Sequence, residues 1–253
     1  MITLKSAAEI DKMRRANQVV ASVLQMMRER VAPGVTTAEL DKWAEEVIRG
    51  HNAVPSFKGY PPGSAYPFPA SICSSVNDEL VHGVPGPRVL CEGDIISVDC
   101  GAIVDGYHGD AAITLPVGRV SPEVQRLLEV TEASLYAGIA AARAGNRAGD
   151  ISAAIQSDVE SNGFNVVREY TGHGIGRKMH EDPQVPNYGE PGKGLRLRKG
   201  LTIALEPMVL AGDRCVRVLD DHWTVVSCDG MLTAHFEHTI AVTDGDAEIL
   251  SQL

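Results

Sequence analysis

No stretch of this 253-residue chain approaches the roughly 18 consecutive apolar residues that a membrane-spanning helix needs. The opening residues, Met1-Ile2-Thr3-Leu4-Lys5, have neither a basic head nor an apolar run, so no export signal is expected there. Basic clusters are equally scarce. Arg196, Arg198 and Lys199 form the densest one, set against 33 acidic and 23 basic residues and a net charge of −10. So acidic a chain repels nucleic acid and anionic lipid, and neither is expected as a partner. Cysteine is sparse: Cys73, Cys91, Cys100, Cys215 and Cys228 are odd in number and form no C-x-x-C pair. That argues against a thiolate zinc site and leads us to expect reduced thiols, packed as small core residues in a cytoplasmic protein. Also missing are H-E-x-x-H, G-x-S-x-G and a Walker A loop, which removes three common catalytic chemistries. What remains, 44% apolar and 22% charged, is an ordinary globule with volume for a continuous core.

Periodicity divides the chain into two similar halves, roughly 1–117 and 118–253, within one domain. Ser6-x-x-Glu9 is a capping box, and Ile10, Met13, Asn17, Val20, Leu24, Met27 and Val31 follow at helical spacing until Pro33-Gly34. A second helix opens at Thr36-x-x-Glu39, runs through Leu40, Trp43 and Val47, and ends at Gly50. Residues 54–69, with five prolines, read as an irregular loop, and strands are predicted at 71–76 and 94–103. The order then recurs. Ser121-Pro122-Glu123 starts a helix that ends at Ala144-Gly145, and another runs from Asp150 to Gly163. Strand-like segments return at 165–170 and 201–205. Short motifs repeat as well. Val81-His82-Gly83-Val84-Pro85 parallels Met179-His180-Glu181-Asp182-Pro183, and the strand ending at Asp99 parallels the one ending at Glu206. We therefore expect two facing α/β halves, each giving a histidine and a strand-borne carboxylate to a shared site.

The carboxylates are the chemical signal. Asp105-Gly106 favours a two-residue hairpin. With that loop Val104 pairs with Tyr107, Gly101 faces Asp110 and Asp99 faces Ala112. Asp99 and Asp110 then lie diagonally on one face, about 7–8 Å apart at the backbone. Two such acids beside Ile96, Val98, Ala111 and Ile113 repel unless a cation lies between them; a solvated hairpin carrying two surface acids is the plainer alternative. Glu206 and Glu237 also sit in apolar strand contexts, where an acid is rarely left unpaired. His173, in Thr171-Gly172-His173-Gly174-Ile175-Gly176, completes the candidate set, its glycines allowing close backbone approach. A phosphate loop is the rival for this stretch, but its spacing is G-x-G-x-G, and Pro183 leaves no room for the helix that should follow. Four carboxylates balance two divalent cations, and oxygen ligands with a single nitrogen suit Mn, Fe(II), Co or Zn.

Asp99, Asp110, His173, Glu206 and Glu237, in that order, resemble the ligand set of the type I methionine aminopeptidases of the pita-bread, or creatinase-like, fold. The resemblance extends over nearly the whole chain through Val81-His82-Gly83-Val84-Pro85, Ser97-Val98-Asp99, Tyr107-His108-Gly109-Asp110, Gly172-His173-Gly174-Ile175-Gly176, His180-Glu181-Asp182-Pro183, Ile203-Ala204-Leu205-Glu206-Pro207-Met208 and Phe236-Glu237-His238-Thr239. It implies an α/β (α+β) chain with a curved antiparallel sheet covered by helices and pseudo-symmetric halves. It also implies bridging carboxylates at Asp110 and Glu237, with Asp99 completing one metal and His173 with Glu206 the other. A water between the metals becomes the nucleophile and Glu206 its proton acceptor. His82 is implied beside the substrate's first peptide unit, and His180 at the scissile carbonyl. Cys73, Phe68 and Trp223 match positions lining a methionine pocket. Phe68 stands where a tyrosine is often found, Met179 where an aromatic residue is expected, and residues 59–67 form a longer loop than usual. By the same resemblance, backbone carbonyls near Asn77, Glu79 and Thr233 hold a monovalent cation.

The expected function is removal of the initiator methionine from nascent polypeptides near the ribosome, by a cytoplasmic monomer. Two alternatives share the fold: an aminopeptidase P or prolidase, whose members usually carry a further N-terminal domain, and a non-catalytic binding protein that has lost its metals. All five ligand positions hold competent side chains, which weighs against the second.

Overall fold

The computed structural model describes residues 2–252. Helix α1, Ala7–Arg30, starts at the Ser6 N-cap, where the Ser6 side chain accepts from the Glu9 backbone and the Glu9 carboxylate accepts from the Ser6 N–H. Helix α2, Thr37–Gly50, repeats the device with Thr36 and Glu39. The proline-rich segment is mostly irregular, as expected, except for a short strand β1, Val54–Pro55. Strands β2 (Ile72–Val76), β3 (Glu79–Val81), β4 (Ile95–Val104) and β5 (Tyr107–Pro116) follow. The second half opens with α3 (Pro122–Ala141) and α4 (Ala148–Ser161), then β6 (Asn165–Val166), β7 (Thr171–Gly174), β8 (Glu181–Pro186), β9 (Thr202–Leu205) and β10 (Met208–Leu210). Strands β11 (Val216–Val218), β12 (Val225–Ser227), β13 (Thr233–His235), β14 (Glu237–Ala241) and β15 (Glu248–Ile249) complete it.

The boundaries between α3 and α4 differ from the sequence reading. Helix α3 stops three residues early, and α4 begins two residues before Asp150, because Asp150 serves as the N3 acceptor for the Arg147 N–H at 2.7 Å. The acid at the helix start is thus inside the first turn.

The main sheet is antiparallel and runs β1-β4-β5-β14-β9-β7-β8, with β2 beside β4 and β15 beside β14. Valines, isoleucines and leucines of all four helices and of the central strands form one apolar core. Helix α1 crosses β5 at close range: a Cβ on Gly109 would lie 2.6 Å from the Asn17 backbone nitrogen. Asn17, buried in α1, uses that proximity to accept from the Asp110 N–H at 3.2 Å.

The cysteine expectation requires a correction. Cys73, Cys91 and Cys100 are free, but Cys215 and Cys228 form a disulfide with their Cα atoms 5.4 Å apart. They face each other at the base of the β11–β12 hairpin, where the Cys228 N–H donates to the Cys215 carbonyl at 2.9 Å. Cross-strand partners come within disulfide range through backbone pairing, which a count of spacings along the chain does not register. Among the described residues no helix is long and apolar enough to cross a membrane.

Candidate active site and metal centre

Strand register assembles the acids. Asp99 of β4 faces Ala112 of β5, as the hairpin loop requires, and Ala112 in turn faces Glu237 of β14. Asp110 faces Gly101 and, two residues from Ala112, emerges on the same side of the sheet. Farther across, Thr239 faces Ala204 of β9, and Ala204 faces His173 of β7. Glu206 follows Ala204 by two. One face therefore carries all five candidate ligands, while Val98, Cys100, Ala111 and Ile113 turn into the apolar core. The glycines around His173 act as the sequence implied. A Cβ on Gly172 would lie 2.5 Å from the Ala204 carbonyl oxygen, and one on Gly174 would run into the Asp182 backbone.

Asp110, His173 and Glu237 each offer a ligand atom within 4.8 Å of the other two. His173 Nε2 lies 3.7 Å from Asp110 Oδ2 and 3.5 Å from Glu206 Oε1. Its Nδ1 contacts the Gly174 carbonyl oxygen at 2.9 Å. A carbonyl only accepts, so Nδ1 carries the hydrogen and Nε2 presents a lone pair. Burial, then the nearby His180, holds this imidazole neutral, its pKa lowered to about 4. A lone pair directed at carboxylates is repulsive without a cation between them. The acids themselves point the same way. Asp99 Oδ1, Asp110 Oδ1 and Glu237 Oε1 are buried without a hydrogen-bond partner. Burial first, then neighbouring negative charge, raises the Asp110, Glu206 and Glu237 carboxyls well above the ordinary range, and burial raises Asp99. Orphaned oxygens, a metal-ready imidazole tautomer and mutual repulsion are what a divalent-cation site requires.

These groups floor one end of a cavity of about 140 Å³, the scale of a void that admits a benzene-sized group. The other end is apolar: Phe57, Phe68, Ala70, Cys73 and Met179 pack together, with Tyr60, Val84 and Trp223 at the margin. Cys73 belongs here because β2 pairs it with Asp99. The Phe68 ring meets Trp223 edge-on at 5.1 Å. Met179 is buried in this wall, and so supplies apolar surface where an aromatic residue was expected. His82, at φ +60°, takes the left-handed conformation that non-glycine residues rarely adopt, and its ring stands edge-on to Trp223 at 6.1 Å. Burial lowers its pKa to about 4, so it enters the cavity as neutral imidazole. His180, also in the cavity wall, has its ring 4.4 Å from that of His173.

The model of metallopeptidase family M24 matches residues 11–244. The chain belongs to metallopeptidase family M24. This M24 chain is 53% identical to methionine aminopeptidase 1 of Bacillus subtilis over 253 residues, all of both chains. It is 53% identical over 252 residues to the methionine aminopeptidase of Clostridium acetobutylicum, covering 99% of each. Among solved structures, the methionine aminopeptidase of Thermotoga maritima superposes with a TM-score of 0.97 at 46% identity over 100% of both chains. The prolidase of Pyrococcus furiosus, at 20% identity and a TM-score of 0.79, shares the fold; the M24 chain spans 65% of its length. The architecture is thus the pita-bread fold, and the protein is a metal-dependent peptidase.

The structure also brings in residues that sequence reading passed over. His235, fully within the protein, sets Nε2 3.9 Å from both Glu206 Oε2 and Glu237 Oε2, and that nitrogen makes no hydrogen bond. It pairs across the sheet with Met208, and its spacing of two from Glu237 is the one local signal that could have placed it beside that acid. Tyr60 and Phe57 come from the proline-rich loop, which carried no periodic signal. Asn77, Glu79 and Thr233 do converge: Thr233 Oγ1 lies 3.1 Å from the Asn77 carbonyl oxygen and 3.0 Å from that of Glu79.

Proposed function

We propose that this chain is a methionine aminopeptidase that hydrolyses the first peptide bond of nascent polypeptides, releasing the initiator methionine when the second residue is small. The observation that carries this reading is the two-ended cavity: a closed apolar wall joined directly to a carboxylate cluster. The relatives' shared name and their full-length similarity support the same activity. Four carboxylates, buried at Asp110 and Glu237 and partly exposed at Asp99 and Glu206, match two divalent cations in charge. Asp110 and Glu237 would be shared between them, Asp99 would complete one, and His173 with Glu206 the other. Co, Mn, Fe(II) and Zn all suit this oxygen-rich set with one nitrogen. A monovalent cation beside the Asn77 and Glu79 carbonyls and Thr233 is part of the same reading.

Bound divalent cations supply Lewis acidity, polarising the scissile carbonyl and lowering the pKa of a water. The chain's own groups do the rest. Phe57, Phe68, Cys73, Met179 and Trp223 enclose the methionine side chain, whose flexible thioether fills irregular apolar space. His82 crowds the first peptide unit and so limits the second residue to Gly, Ala or Ser. Glu206 accepts the proton of the attacking water and returns it to the departing amine. His180 donates a hydrogen bond to the carbonyl oxygen as negative charge builds there. We place the reaction in the cytoplasm, close to the ribosome, with the protein acting as a monomer and single catalytic domain. The net charge of −10 and the absence of a basic cluster favour a peptide substrate over nucleic acid or lipid.

Methionine release from Met-Ala-Ser, Met-Lys-Ser, acetyl-Met-Ala-Ser and Ala-Pro-Ser tests this reading. Only the first should be cleaved well. Faster cleavage of Ala-Pro-Ser would assign the chain to the aminopeptidase P branch.

A further inference from the structure

The loop of residues 59–67 is not accounted for by the metal chemistry. It leaves and rejoins the body at one narrow clasp: the Gly59 N–H donates to the Phe68 carbonyl at 2.8 Å, and the Phe68 N–H to the Tyr60 carbonyl at 2.7 Å. Its far end is tied to the other half of the molecule. Trp223 Nε1–H donates to the Tyr66 carbonyl at 3.1 Å, and the Tyr66 ring lies 3.9 Å from that of His222. Held at both ends, the loop places the Tyr60 hydroxyl 2.7 Å from His180 Nδ1, with the rings 5.4 Å apart.

We infer that Tyr60 is a positioning residue for catalysis: its hydroxyl donates to His180 Nδ1 and thereby fixes His180 as the tautomer that carries its hydrogen on Nε2. The inference rests on the peptidase reading for its catalytic meaning, though not for the hydrogen bond itself. Two considerations set the direction of that bond. A phenol is the more acidic donor and an imidazole nitrogen the more basic acceptor, so O–H···N is the stronger pairing. The alternative, Nδ1–H donating to the phenol oxygen, leaves an unprotonated Nε2 in a cavity shared with Asp99, Asp110, Glu206 and Glu237, where a donor is favoured and a lone pair is not. His180 Nε2 makes no hydrogen bond among the described residues, so it is the ring's free polar atom. The two neighbouring imidazoles are therefore set in opposite senses. The Gly174 carbonyl makes His173 Nε2 a lone-pair ligand, whereas Tyr60 makes His180 Nε2 a donor. One fits a cation and the other an oxyanion.

The test is Tyr60→Phe, which keeps the ring and removes only the hydroxyl. Long-range proton–nitrogen NMR of metal-free protein with 15N-labelled histidine, His180 being assigned by His180→Gln, reads the tautomer directly. Wild type should show a single Nε2–H form at His180 and Tyr60→Phe a mixture. In the metal-loaded enzyme, Tyr60→Phe should lower kcat about 5- to 10-fold with KM within about twofold, the loss of one pre-set donor hydrogen bond acting through another residue. The same change made in a His180→Ala background should cost nothing further. An Nδ1–H tautomer in wild type, identical spectra for the two proteins, a loss confined to KM, or an undiminished loss in the His180→Ala background would each overturn the assignment. If the wild type released no methionine at all, the functional reading would fail by itself, and the spectrum would still decide the hydrogen bond.

Discussion

Asp110→Asn should stabilise the metal-free protein and abolish its function, and the two effects have one cause. Asp110 Oδ1 is buried with no partner, and the carboxyl is pushed up by burial, then by Asp99 and Glu206. An amide of nearly the same shape removes one charge from a cluster of four and adds an N–H donor beside the Glu237 carboxylate. Leaving a buried polar group unsatisfied costs about 1–3 kcal/mol. A central gain of about 2 kcal/mol corresponds to roughly 4–8 °C in Tm for a chain of this size. The backbone at residue 110 is held independently of the side chain, by the Asn17 side chain on its N–H and the Thr239 hydroxyl on its carbonyl, so the fold survives the change. With metal present the order should reverse. Ligand at 100 times its dissociation constant adds about 2.7 kcal/mol to the wild type, and the variant forfeits most of that. The assay is thermal melting at about pH 8, with chelator and then with saturating Co or Mn, alongside turnover of Met-Ala-Ser. A metal-free variant that melts below the wild type would refute the repulsive-cluster reading, as would full turnover at saturating metal.

The raised carboxyls of Asp99, Asp110, Glu206 and Glu237 contribute stability at low pH, where folded and unfolded forms are both protonated, and lose it as pH rises through the raised values. Buried His82, His173 and His235 act oppositely, because their lowered values cost stability only as pH falls below the ordinary imidazole range. Chelated protein should therefore lose Tm as pH rises from the ordinary carboxyl range through about 7, the raised value of Asp99, with the histidines offsetting part of that loss below the imidazole range. Saturating divalent cation should flatten the decline, and a decline unchanged by metal would count against the cluster. Replacing Cys215 and Cys228 together by serine opens a loop spanning 13 residues of separation, for which chain entropy predicts a loss of about 3 kcal/mol in denaturant titrations. No loss of stability in the double variant would show that the bridge is not formed in solution.

The features legible in the sequence are those governed by short-range geometry. Asp105-Gly106 dictates a two-residue turn, the turn dictates that Val104 pairs with Tyr107, and alternation then carries Asp99 and Asp110 to one face without reference to the rest of the molecule. The capping boxes at Ser6 and Thr36 are similarly local, since donor and acceptor lie within one helical turn. The inward-facing acids in apolar strands were legible because an unpaired buried charge is so costly that the residue type alone announces a partner. Which carboxylates share a site was carried by the family's motif order rather than by any local force.

Tertiary structure alone decided the remainder. His235 stands near Glu237 through its spacing of two, but it approaches Glu206 only because β13 and β14 come together with β9 and β10, and nothing along the chain encodes that second distance. Cys215 meets Cys228 through hairpin pairing, not spacing, and Tyr60 reaches His180 across 120 positions of sequence through a loop with no periodicity to read. Phe57, Phe68, Cys73, Met179 and Trp223 form one wall because a proline-rich loop, a sheet edge and a hairpin tip are pressed together. Local sequence sets backbone conformation and which way a side chain points, through steric and hydrogen-bond terms that act over a few residues. Which distant side chains then meet depends on how whole elements pack to bury their apolar faces, and that is a property of the assembled core.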